Sequence, residues 1–267
     1  MKLRKTKLRI LSIICLTLIT LVGCKETKKE KVNDTPEKIT EITLEKLENS
    51  PEYATASLKM TTPSDTVIKT VGETAFNFEV NNYELGALTQ SKDTALLANS
   101  AKGQHIHFIL NNEPYSAHYE PTFKKDMPNG VHHLVAFLSR SYHESVKNEN
   151  AVVVKKLIVG EDTKDDNNLD INAPTLIYSR PKGEYSGKDT ENLLLDFFVL
   201  NTQLSENGTK VRATINEKEF IITEWAPQVI KGLPKGKVFI KLELIDAEGN
   251  LIPGPFNSVD RTVTLKK

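Results

Sequence analysis

The chain has 267 residues with 35 basic and 35 acidic side chains, so no global charge draws it toward nucleic acid or another polyanion. Its two cysteines, Cys15 and Cys24, stand near the N-terminus. The body that follows therefore has no disulfide, thiol nucleophile or cysteine metal ligand, and the classes that need them are excluded.

The first nine residues, MKLRKTKLR, carry five positive charges and no acid, and Ile10 to Val22 are uncharged and mostly apolar. A spanning helix needs roughly 20 apolar residues, and this run stops short before Gly23, Cys24 and the charged KETKKEK. It reads as a signal peptide over residues 1–23. Leu21-Val22-Gly23-Cys24 resembles the lipobox of bacterial lipoproteins, in which a small residue admits the peptidase and the cysteine thiol becomes a thioether to diacylglycerol. That resemblance implies lipidation of Cys24 and anchoring to a membrane, because two acyl chains hold far more firmly than one.

Residues 24–52 open with a lysine and glutamate tract that buries too little to order itself, so a flexible tether is expected. Within it, Ile39 to Leu47 place Ile39, Ile42, Leu44 and Leu47 on a rough helical stripe, one or two turns long, which Pro51 ends.

From residue 53 short apolar runs alternate with Gly, Pro, Asn and Asp, the pattern of an all-β body. The body repeats. GTKVRATINEKEF in the second half matches GQHIHFILNNEPY in the first: Gly208 falls on Gly103, Val211 on Ile106, Asn216 on Asn111 and Phe220 on Tyr115. A repeat of roughly 100 residues has the size of one Ig-like sandwich. Two tandem Ig-like modules are expected, at 53–160 and 173–267, joined by a polar linker at 161–172, and residues 170–267 should fold alone. Asp166, Asn168 and Asp170 raise a calcium loop, but Ile171 and Ile177 stand where an EF-hand needs Gly and an acid, so a solvated linker is the better reading.

Strand alternation assigns Ile106, Phe108 and Leu110 to the core and His105 and His107 to the outer face; His132 points inward and His133 outward. All six histidines lie between residues 105 and 143, and Lys210 and Arg212 take the places of His105 and His107 in the second copy. A two-residue hairpin at Asn111-Asn112 would bring His118 opposite His105, and the loop after the 131–138 strand would return His143 to the same rim. His105, His107, His118 and His143 are thus a candidate ligand set for zinc or copper, since neutral imidazole suits both metals. Two other readings stay open: packing residues with no ligand, and a ligand surface of Tyr115, Tyr119, Arg140 and Tyr142 for an organic or peptide partner. Trp225 reads as a core or strand-edge anchor.

No nucleophile elbow, zinc-protease helix or phosphate loop is present, which argues against an enzyme. With its lipobox, charged tether and the GQHIHFILNNEPYSAHYEP and GNLIPGPFN segments, the chain resembles uncharacterised tandem Ig-like envelope lipoproteins of the Bacteroidota type. The resemblance implies a lipid-anchored envelope protein, at the outer membrane, or at the cytoplasmic membrane of a Gram-positive cell. Metal binding, peptide or protein adhesion and a structural envelope role are the competing functions.

Overall fold

The computed structural model describes residues 41–161 and 163–267. In chain order the strands are β1 (Thr43–Lys46), β2 (Ser57–Thr62), β3 (Val67–Ile68), β4 (Gly72–Asn81), β5 (His105–Leu110), β6 (Ser116–His118), β7 (Thr122–Met127), β8 (Gly130–Ser139) and β9 (Val152–Val159). The second half continues with β10 (Thr175–Arg180), β11 (Glu184–Tyr185), β12 (Leu193–Leu200), β13 (Lys210–Ile215), β14 (Lys218–Ile222), β15 (Gln228–Lys231), β16 (Gly236–Ile245) and β17 (Ser258–Leu265).

These strands form two Ig-like β-sandwiches of the same topology. The first pairs a β2-β4-β7 sheet with a β3-β9-β8-β5-β6 sheet; the second pairs β15-β12-β10 with β11-β17-β16-β13-β14. Each has its own apolar core, built around Phe76, Ile106, Phe108 and Leu134 in the first and Phe197, Val211, Ile240 and Leu242 in the second. Alternation decides which residues enter. Ile106 and Phe108 face the first core with Leu110 packed against it, as their register predicts, and Val211, Ala213 and Ile215 do the same in the second.

Two features depart from the tandem-module expectation. Residues 43–46 are a strand rather than helix or tether: β1 pairs antiparallel with β15 and so adds an edge to the second sandwich from a segment that precedes the first. Backbone pairing with an open sheet edge overrides a weak apolar stripe, which four residues ending in Glu45 and Lys46 could not stabilise as an isolated helix. The second sandwich is therefore completed from outside 173–267.

The second departure is a third apolar core between the modules. Ile109, Tyr115, Val135 and Phe137 of the first pack against Ile177, Phe198 and Leu200 of the second, and Phe137 stacks on Phe198 with ring centroids 5.1 Å apart. The outer face of β5 and β8 thus meets the outer face of β10 and β12, and β12 is buried along its whole length. Polar groups lock this junction. The Asn112 side chain donates to Leu176 O at 3.0 Å and accepts from Tyr178 N at 2.8 Å, while Arg261 donates to Asn112 O, Tyr178 O and Ser179 O. The 161–172 segment is pinned as well, with Asp165 accepting from Lys156 Nζ at 2.6 Å and from Leu169 N at 2.8 Å.

Candidate metal centre at the module junction

His105 and His107 lie on the outer face of β5, as alternation predicts, but that face is covered and both rings are fully buried. The third member comes from the turn after β8. Arg140 N donates to Glu144 O and His143 N to Arg140 O, both at 2.8 Å, and the Arg140–Glu144 ion pair at 3.0 Å closes the turn. His143 sits there with φ +72°, a left-handed conformation that histidine tolerates better than most residues and that collects at functional sites. The second module shapes this turn: buried Asp196 accepts from Ser145 N and Ser145 Oγ, each at 3.1 Å, and pairs with Lys147 at 2.5 Å.

His105 Nε2 is 2.9 Å from His107 Nε2 and 3.1 Å from His143 Nδ1. One ligand atom from each ring lies within 4.8 Å of the other two. Bonds of about 2.0–2.1 Å to a metal set neighbouring donors roughly 2.9–3.4 Å apart, between square-planar and tetrahedral edges, so the two short separations suit a shared ion. The far nitrogens are held too. His105 Nδ1 donates to Gly103 O at 2.8 Å, and His107 Nδ1 lies 3.1 Å from Ser179 Oγ, a residue of the second module. Such partners fix ring orientation and tautomer at metal sites. Gly103 is itself irreplaceable, since at φ +85° a side chain would meet Gly86 O at 2.2 Å.

The hydrogen-bond arithmetic points the same way. A carbonyl only accepts, so His105 keeps its proton on Nδ1 and turns an unprotonated Nε2 toward its neighbours. The His107 Nε2–H can donate to that nitrogen's lone pair and the Tyr115 O–H to His143 Nδ1, which leaves His105 Nε2 and His143 Nδ1 facing each other at 3.1 Å with no proton between them, a contact that a shared cation would relieve. A metal ion takes one lone pair from each ring. The rings are also neutral at pH 7: burial, ahead of the positive charges of Arg180 and Lys182, lowers the pKa of His105 to about 4. Burial first, and then neighbouring charges, drives His107 and His143 well below the ordinary histidine value.

His118 is not part of this group. Seven residues, 109 to 115, separate Phe108 from its partner Ser116, against six, 214 to 219, between Ala213 and Phe220 in the second copy. The extra residue puts His118 opposite Ile106 instead of His105, and a one-residue slip moves a side chain to the other face. There it stacks on Phe123 with centroids 3.4 Å apart and contacts Ser116 Oγ at 2.9 Å. His132 points into the first module, bonded to Asn111 and Pro128 O, and His133 faces the junction, stacked on Phe256.

The candidate ligand surface is not a surface. Tyr115, Arg140 and Tyr142 are buried, and of the four only Tyr119 is half-exposed, bonded to Ser100 Oγ at 2.8 Å. Tyr115 lines the histidine cluster instead. Trp225 anchors the seam, its Nε1 donating to Phe197 O at 3.0 Å and its ring edge-on to Phe198.

Ser179, Arg180, Lys182 and Asp196 escaped sequence reasoning because they belong to the other module. One signal was available. Leu134 to Leu138 and Leu193 to Leu195 are unbroken apolar runs, the mark of strands buried on both faces, whereas VFIKLEL in β16 alternates more.

No protein-family model matches the chain, and no curated protein matches it. Among solved structures it is similar to the fibronectin(III)-like modules of CbhA from Clostridium thermocellum, with 14% identity over 78% of this chain and 94% of that one and a TM-score of 0.28. It is also similar to the central fibronectin-III array of RIM-binding protein, with 11% identity over 83% of this chain and 71% of that one and a TM-score of 0.24. At these scores the tandem Ig-like class rests on the chain's own strand pairing. Cys24 and the signal segment lie outside the described residues. Among the described residues no helix is long and apolar enough to cross a membrane.

Proposed function

We propose that this chain is a lipid-anchored protein of the bacterial envelope that holds a transition-metal ion, zinc or copper, between its two Ig-like modules and has no catalytic role. The observation that carries the metal reading is the convergence of His105 Nε2, His107 Nε2 and His143 Nδ1, with Gly103 and Ser179 holding the opposite nitrogens of the first two. A centre this enclosed fits a structural or storage ion better than a catalytic one, which keeps a position open to substrate. Burial of Tyr115, Arg140 and Tyr142 favours the metal over an organic or peptide ligand at the same place.

The anchor rests on the Leu21-Val22-Gly23-Cys24 motif and the basic and apolar segments before it. Fractionation of cells expressing Cys24→Ser tests it: the variant should stay unprocessed or leave the membrane. A variant still processed and membrane-bound contradicts the lipoprotein reading. Metal content of the native chain, purified without a histidine tag, tests the centre.

A further inference from the structure

We propose that Tyr115 is the fourth ligand of this centre and binds the metal as a phenolate. The inference rests on the three-histidine reading above and adds an anionic oxygen to it. Tyr115 Oη, His143 Nδ1, His105 Nε2 and His107 Nε2 form a row with successive separations of 3.1, 3.1 and 2.9 Å. Each step is the length of a coordination edge, and the ends of the row would have to close toward each other for one ion to reach all four atoms, since two donors on one ion stand at most about 4.2 Å apart.

The oxygen is also aimed. The Tyr115 ring stacks on His107 with centroids 3.5 Å apart and planes 12° from parallel. Lys182 Nζ sits 3.8 Å over the Tyr115 ring and donates to Tyr115 O at 2.6 Å, so the second module holds the residue from behind.

Charge gives the reason for a phenolate. Arg180 and Lys182 both act on the cluster, and among the described residues no Asp or Glu joins the three histidines. A divalent ion on three neutral imidazoles would leave its whole charge buried beside two cations, which low dielectric makes costly. Tyr115 is the group already in place that can supply a negative charge: burial holds its hydroxyl well above the ordinary tyrosine range in the metal-free chain, and a bound cation, with the Arg180 guanidinium 5.5 Å from the ring centroid, would offset that cost. On binding, the Tyr115 O–H bond breaks, the proton leaves to solvent, and the oxygen forms the metal–oxygen bond; the metal keeps its oxidation state.

Titration of Cu(II) into the purified full chain tests this, since copper phenolates absorb in the visible. The wild type should bind one equivalent and develop a phenolate-to-copper charge-transfer band. Tyr115→Phe keeps the ring that stacks on His107; it should still bind one equivalent, without the band, and on the order of 10- to 100-fold more weakly. One-equivalent binding by the wild type with no such band, or a Tyr115→Phe protein with unchanged band and affinity, overturns the tyrosine ligand while leaving the histidine centre standing. A wild type that binds no copper or zinc overturns the centre itself, and the tyrosine with it.

Discussion

The two modules place different chemistry on the same two strands. In the first, His107 pairs with Phe137 and Ile109 with Val135 across β5 and β8; in the second, Arg212 pairs with Glu243 and Thr214 with Lys241 across β13 and β16. One face is apolar and aromatic and docks another sheet. The other is charged, with Arg212 Nε 3.0 Å from Glu243 Oε2, and faces water at its half-buried positions. The fold is shared, so it is the side chains of this one face that decide whether the module takes a partner and whether histidines sit in a dry or a wet place. Imidazoles at the positions of Lys210 and Arg212 would stay hydrated and protonate near pH 6.5. At 105 and 107 they are dehydrated and neutral, His105 oriented by Gly103 of its own module and His107 by Ser179 of the neighbouring one.

The largest stability effect expected from breaking this contrast is at Phe137. Phe137→Ala removes a fully buried ring from the junction core and should cost about 3–5 kcal/mol in chemical denaturation of the full chain. Glu243→Ala, at the matching position, loses ion pairs to Arg212 and Lys241 whose own side chains are partly open to water, and should cost less, about 1–2 kcal/mol. Equal costs would mean that the docked face contributes nothing beyond the separate sandwiches.

A smaller and graded effect is expected with pH. His105 has its pKa lowered to about 4 in the folded chain, so the unfolded chain binds more protons than the folded one between pH 4 and about 6.5. Stability is therefore complete above about pH 6.5, falls as pH drops toward 4, and levels off below it as far as this group is concerned. The melting temperature of metal-free protein, followed from pH 7.5 to 4, should show that decline. For the same reason metal should stay bound at pH 6, where a solvent-exposed histidine site would already be losing its ion to protons. Metal release that tracks a pKa near 6.5 would place the histidines in water.

Much of the fold and half of the centre are legible in the sequence. The internal repeat and its period-two alternation put His105 and His107 on one outer face, and the loop position of His143 follows from the antiparallel return of β8. What alternation cannot read is what covers an outer face, because that depends on a partner sheet about 70 residues away, as the 3.1 Å contact of His107 with Ser179 illustrates. His118 is misplaced by one residue of hairpin length, a quantity that Asn111-Asn112 alone does not fix. β1 has no local signal: Thr43–Lys46 becomes a strand because β15 offers it an edge.

The most direct test is calorimetric titration of Zn(II) or Cu(II) into the full chain, its His118→Ala variant and the His105→Ala/His107→Ala double variant, with circular dichroism confirming that each is folded. Wild type and His118→Ala should each bind one equivalent, and the folded double variant none. Stoichiometric binding that survives the double substitution, or is lost with His118 alone, would contradict a centre built from His105, His107 and His143.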